Sequence, residues 1–273
     1  MRDELGDRMK KNYENRTRIL LPRRTYTIIR VDGKAFHTYT RGCERPFDAG
    51  LMEDMDATAE YLCKNIQGAK IGFVQSDEIS VLMTDFETHQ TDAWFDGNIQ
   101  KIVSVASSMA TSKFNQLRMK RYLETKFNLE VTNLTQLFID NLMVVKLAEF
   151  DARTFTIPSK TEVMNYFIWR QQDTVRNSIS SVAQSLYSAK ELNGKNMSQQ
   201  QDMIHEKGQN WNDFTPQEKR GRFIIKEIFT LETEYKGTNF QQKNYERTRW
   251  VAKECPTFTA EPLFLDNYIP EMD

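Results

Sequence analysis

The residues best equipped for chemistry in this sequence are Asp32, in IIRVDG, and the adjacent pair Asp77 and Glu78, in FVQSDEIS. Mg²⁺ takes oxygen ligands in octahedral geometry and usually accepts only a few from protein, with phosphates and water supplying the rest. Two carboxylates at one edge of a sheet are therefore the least that a two-ion site needs. In such a site one Mg²⁺ activates an attacking hydroxyl and the other holds the departing phosphates. Asp-Gly and a polar Gln-Ser-Asp-Glu tip are also ordinary turn residues, and each alone is better explained by turn chemistry. The pair gains meaning when both members reach the same end of one sheet.

Asp32 is followed directly by Gly33, Lys34, Ala35, Phe36 and His37. Gly33 lets a phosphate approach the backbone closely, and the successive N–H groups beyond it can form an anion nest. Lys34 and His37 can add side-chain contacts, although a lone histidine is more often structural. Lys101 lies on the polar side of a helical pattern with Ser104, Ser108 and Thr111. From there it reaches phosphates above the sheet, or it is an ordinary solvated lysine. His89 and His205 have no partner pattern and read as surface residues. The sequence contains no GxxxxGK(S/T), GxSxG, HExxH or CxxC motif.

The elements that must position these groups are legible from periodicity. TYTIIRVD (25–32) is β-branched and apolar and ends at Gly33, which predicts a buried strand. Leu51, Met55, Ala59 and Leu62 predict a helix over about 49–66. AKIGFV (69–74) and ISVLMTDF (79–86) predict a hairpin with its turn at Gln75–Glu78. Residues 94–121 carry a long helical stripe through Ile99, Ile102, Val103, Ala106, Met109, Ala110, Phe114 and Leu117. The run 144–158 contains another strand, closed by Pro158. This order, β-α-β-β-α-β, is that of polymerase palms and nucleotide cyclases, and in such a sheet Asp32 and Asp77 reach the same end although 45 positions separate them.

Beyond Pro158 the pattern is mainly helical. Residues 162–192 form an amphipathic helix that stops at Asn193-Gly194. Residues 193–218 read as a structured loop, and RFIIKEIFTL and RTRWVAKE suggest a basic hairpin. The expected class is thus α+β: a palm-like, ferredoxin-type catalytic domain over 1–158, then a helical and C-terminal region over 159–273. That second region packs on the palm and carries a small strand-containing basic extension.

The composition is that of a globular chain, with 39% apolar and 27% charged residues among 273. Three cysteines without metal-ligand spacing fit a reducing cytoplasm. The polar first residues and the lack of an 18-residue apolar run predict neither a secretory leader nor a membrane span. Net charge is −1, yet residues 1–24 hold eight Lys/Arg against four Asp/Glu, and 219–253 hold nine against four. These are either local basic patches for a phosphate backbone or two solvated faces.

IIRVDGKAFHTYT, RPFD, GFVQSDEISVLM, FDARTFTIP and YFIWRQQD, in that order and spacing, resemble the tRNA(His) guanylyltransferase family over roughly residues 20–250. The resemblance implies that Asp32, Asp77 and the Gly33 carbonyl hold two Mg²⁺ ions and that Glu78 supports the site. It places the triphosphate against the backbone from Gly33 to His37, the His37 side chain, Ser76 and Lys101. Arg45 and Asp48, in RPFD, match a Lys and an Asp beside the activating nucleotide; Arg for Lys keeps the charge and alters the geometry. The implied reaction is nucleotide addition in the 3′–5′ direction, with ATP and GTP or another nucleoside triphosphate as substrates. The implied partners are tRNA and three further copies of the chain, as a dimer of dimers. The basic segments, with Arg23, Arg24, Arg220, Arg247 and Arg249, are candidates for the tRNA contact.

Where eukaryotic guanylyltransferases carry His-Ile-Asn-Asn, this sequence reads Val175-Arg176-Asn177-Ser178 and retains only the Asn. That likeness is to the guanylyltransferase-like branch, which implies template-dependent repair of 5′-truncated tRNA, with Arg176 and Asn177 as RNA contacts. The alternatives are a dedicated, non-templated tRNA(His) guanylyltransferase, a palm-type nucleotide cyclase, and a non-catalytic RNA-binding module.

Overall fold

The computed structural model describes residues 3–127, 146–235 and 241–272. Arg2 and Lys236, members of the two basic segments, and residues 144–145, the start of the anticipated strand run, lie outside them. The centre is a six-stranded sheet in the order β4-β1-β3-β2-β5-β6, antiparallel at every pairing. Its strands are β1 (Tyr26–Gly33), β2 (Ala69–Gln75), β3 (Glu78–Met83), β4 (Phe150–Ile157), β5 (Arg222–Tyr235) and β6 (Gln241–Glu254). The chain is therefore mixed α and β around one antiparallel sheet.

Helices cover both faces. On one side lie α3 (Ala49–Asn65) and α4 (Ile99–Phe127), whose stripes Met55, Ala59 and Leu62, and Ile102, Ala106, Ala110 and Phe114, meet Ile29, Val31, Val74, Ile79 and Val81. Asp48 caps α3 by accepting a hydrogen bond from the Leu51 N–H at 2.7 Å. Arg118 and Arg121 on α4 bind the buried Asp54 of α3 at 3.0–3.1 Å and fix the two helices together. On the other side lies α5 (Lys160–Leu186), with Val163 and Phe167 against Ile28, Phe73 and Leu82. Before α3 come α1 (Glu4–Asn12) and α2 (Phe36–Tyr39); after α5 come α6 (Ala189–Leu192), α7 (Met197–Glu206), α8 (Pro216–Arg220) and α9 (Pro262–Asp266).

Several expectations are refined. The β2–β3 turn has two residues, Ser76 and Asp77, rather than four, because Gln75 and Glu78 pair across the hairpin. Helix α4 starts at Ile99 rather than near 94, since Phe95, Asp96 and Gly97 adopt positive φ and break the helical path. Residues 193–218, anticipated as a loop, hold α7 and the start of α8. Both helices carry capping boxes, Asn196 with Gln199 and Thr215 with Glu218, which a loop reading of polar residues overlooks. The C-terminal hairpin forms, but it extends the central sheet: β5 pairs with β2 from Arg222 to Ile224. One sheet thus draws strands from both sides of residue 158. Among the described residues, no helix is long and apolar enough to cross a membrane.

Candidate active site

The antiparallel register places Asp32, the penultimate residue of β1, opposite Glu78 on β3 and opposite Asp151 on β4. The two-residue turn then brings Asp77 beside the end of β1, where the Gly33 N–H donates to the Asp77 carbonyl at 3.1 Å. Asp32 and Asp77 are both half-buried. Burial pushes the Asp77 carboxyl up to about 6, and the negative charge of Asp32 adds to the rise. Two carboxylates repelling each other in a partly dry setting are an anionic pocket that favours a cation.

Arginines surround this pair. Arg170 on α5 donates to both Glu78 carboxylate oxygens at 2.8 and 2.7 Å and to Asp173 at 3.0 Å. Burial raises the Glu78 carboxyl above its ordinary range, and Arg170 opposes that rise. Arg30 lies 3.7 Å from Glu78 and 3.8 Å from Asp32, and its buried Nε has no hydrogen-bond acceptor. Arg222, paired with Asp56 at 2.7 Å, also keeps a buried, unpartnered nitrogen. Positive groups with unused donors beside an acidic pair suit a ligand that brings both negative oxygens and a metal.

A cavity of about 690 Å³ opens from Asp32, Asp77 and Glu78 and runs along α5. That volume lies in the range of small-molecule sites. Its walls include Gly33, Ala35, Phe36, His37, Arg45, Asp48 and Ser76, together with Asn177. The far wall is a row of hydroxyls and amides on α5: Thr174, Ser178, Ser181 and Gln184. Thr174 donates to Gln75 across the cavity floor. Asp48 lines the cavity while both its oxygens are engaged, one at the α3 cap and one by the Glu44 N–H at 3.1 Å.

Other sequence candidates lie elsewhere. Lys34 turns to Glu149 at 2.5 Å, and neither it nor Lys101 is among the cavity-lining residues. Arg176 is exposed and pairs with Asp173 at 3.0 Å. Arg23 binds Asp85 at 2.7 Å, and Arg24 donates to the Thr88 and His89 carbonyls, so both tie down the segment 85–92. Arg220 ends α8. Arg247 and Arg249 are exposed on β6, with Arg249 on Glu227 at 2.9 Å. Sequence reasoning missed Arg170, Arg30, Thr174 and Arg222. Arg170 could have been found, because it occupies the apolar stripe of α5 with Val163, Tyr166 and Phe167, and a charge there implies a buried partner.

A family model described as tRNAHis guanylyltransferase matches residues 6–158. The tRNA(His) guanylyltransferase of Debaryomyces hansenii is 26% identical over 270 residues, covering 94% of this chain and 91% of that protein. A bacterial tRNA(His) guanylyltransferase-like protein solved in complex with ATP is similar, at 40% identity and a TM-score of 0.77, over 97% of this chain and 99% of that one. The corresponding complex with GTP has a TM-score of 0.72 at 40% identity and the same coverage.

Proposed function

Because this chain belongs to the tRNA(His) guanylyltransferase family, we propose that it adds nucleotides in the 3′–5′ direction to the 5′ end of tRNA, copying a template base to repair truncated ends. A 5′-monophosphate first attacks the α-phosphate of ATP, releasing pyrophosphate and leaving a 5′-adenylylated RNA. The 3′-hydroxyl of an incoming nucleoside triphosphate then attacks the activated 5′ phosphate and AMP leaves. The carrying observation is Asp32 and Asp77 on adjacent strand ends at the mouth of a nucleotide-sized cavity. We read β1–β4 with α3 and α4 as a polymerase-palm-like, ferredoxin-type core over 1–158. The region 159–273 adds RNA contacts and assembly surface.

Asp32, Asp77 and the Gly33 carbonyl would hold Mg²⁺. Among the described residues no group of three or more His, Cys, Asp or Glu side chains could hold a metal alone, so phosphate and water oxygens complete the shell, as Mg²⁺ prefers. Bound there, Mg²⁺ supplies charge neutralisation at the transferred phosphate and a lowered pKa at the attacking hydroxyl. The chain's own part is positioning. Arg170 fixes Glu78 and thereby the β3 end beside Asp77. The backbone from Gly33 through His37, the His37 side chain and Ser76 cradle phosphates, Arg45 lies beside the activating nucleotide, and Asp48 holds that wall as a helix cap. Lys34 and Lys101 serve the triphosphate only after their side chains swing toward it. Arg176, Asn177 and the basic segments contact tRNA, and the working unit is a cytoplasmic tetramer.

The replacement of His-Ile-Asn-Asn by Val175–Ser178 separates templated repair from dedicated addition of G. A 5′-truncated tRNA, with the base opposite the gap varied, tests this directly. Incorporation that follows Watson–Crick pairing is expected, and G added whatever the opposing base would sink the templated reading.

A further inference from the structure

Toward the β4 edge of the sheet from Asp32, outside the cavity lining, lies a second surface made of aromatic and cationic groups. Trp169 on α5 is 46% exposed and Phe155 on the edge strand β4 is 36% exposed. They are held in place through Tyr166, whose ring meets Phe155 and Trp169 edge-on, each at 5.8 Å. The Tyr166 hydroxyl is itself fixed 2.7 Å from Ser80 Oγ. The Trp169 ring also lies 4.4 Å from the Arg170 guanidinium, the same group that grips Glu78. Arg153, half-exposed on β4, reaches toward Asp32 at 3.7 Å and Asp151 at 3.6 Å, too far for a hydrogen bond to either.

The geometry points to Trp169, Phe155 and Arg153 as a docking platform for the reacting end of the RNA, with a terminal nucleobase on Trp169 and the neighbouring phosphate on Arg153. This rests on the proposed reaction, in which a nucleotide and a polymer must converge on Asp32 and Asp77. The cavity, which none of these three residues lines, takes the nucleotide from one side. The platform, toward the β4 edge, offers what a polymer end needs: a fixed aromatic face and a loosely engaged cation. Sequence-tolerant stacking also suits an enzyme that must accept whichever base the template dictates. A cation on Asp32 would weaken its hold on Arg153 and free that guanidinium for phosphate.

The test uses the full chain and a 5′-monophosphorylated tRNA lacking its first nucleotide. Trp169→Ala is expected to weaken RNA binding at least about fivefold with the KM for ATP unchanged, and Trp169→Phe to restore most of the loss by keeping an aromatic face. Arg153→Gln is expected to weaken RNA binding and to reduce the slope of log affinity against log salt by about 1. If Trp169→Ala melts early, Trp169→Leu set against Trp169→Phe gives the same comparison, since leucine keeps bulk without a π face. Unchanged RNA affinity in the folded variants overturns the platform. So does a loss of affinity that only tracks a fall in sedimentation mass, which would assign the surface to contact between copies of the chain. AMP transfer by the unaltered protein tests the reaction separately.

Discussion

At Asp77, burial and the charge of Asp32 both oppose ionisation, and the carboxyl is pushed up to about 6 from its ordinary 3.8. The folded chain therefore holds this proton more tightly than the unfolded chain. Without a cation, the contribution of Asp77 to stability is greatest at low pH and declines as pH rises from about 4 to about 6. Cation binding needs the ionised form, so apparent Mg²⁺ affinity should drop as pH falls below about 6, approaching tenfold per unit. Titrating Mg²⁺ dependence of AMP transfer between pH 5 and 8 measures this, and a flat response would count against Asp77 as a ligand. Asp77→Ala should lower transfer by at least about a hundredfold while leaving tRNA affinity nearly intact, because the proposed RNA contacts lie elsewhere. At Glu78, Arg170→Met would strand a buried carboxylate without its partner. The expected loss is about 3–5 kcal/mol of stability, read from urea unfolding at pH 7.

At the scale of elements, the β1–α2 junction shows how a strand end becomes a binding surface. A Cβ on Gly33 would run into the Phe36 ring, and Phe36 is itself packed against Phe114 and Phe150. Gly33→Ala should therefore cost about 1–3 kcal/mol, visible in thermal melts, and should impair ATP binding because the same backbone lines the cavity. The β5–β6 hairpin is the other informative element. It pairs with β2 over only three residues, Arg222–Ile224, and then runs on as a two-stranded arm on which Arg247 and Arg249 are exposed. As a proposed tRNA contact it should act through phosphates. Arg247→Gln should weaken all tRNAs alike and reduce the salt slope by about 1; a change confined to one tRNA sequence would argue for base recognition instead.

Across the whole molecule, the sheet ignores the division at residue 158. β5 covers the edge of β2, and Phe223 packs with Phe167 and Phe258 on the α5 side. Both halves contribute to one buried face, so calorimetry should record one cooperative transition, and a fragment ending at 158 should expose the edge of β2 and aggregate. Two resolved transitions would mean that the 159–273 region folds on its own. The candidate site spans the division in the same way, since Glu78 comes from the first part of the chain and Arg170 from the second.

The sequence by itself determined where the strands and long helices lie, because burial against one sheet imposes periods of 2 and 3.6 that survive in the residue pattern. It did not determine their ends: the helix read over 162–192 stops at Leu186, and Ala189–Leu192 is a separate helical turn. It also determined that Asp32 and Asp77 meet, since in a β-α-β-β order β1 runs in the direction of β2 and its end falls beside the hairpin tip. The capped helices of 193–218 were encoded as Asn196–Gln199 and Thr215–Glu218, short local signals that polar composition hides. What only the tertiary structure decided were contacts between residues far apart in the chain. Arg170 closes on Glu78, Arg222 on Asp56 and Lys34 on Glu149, and the C-terminal hairpin joins β2. Long-range pairing leaves no period in the sequence, because the partner of a buried charge is chosen by where the sheet and helices bring it.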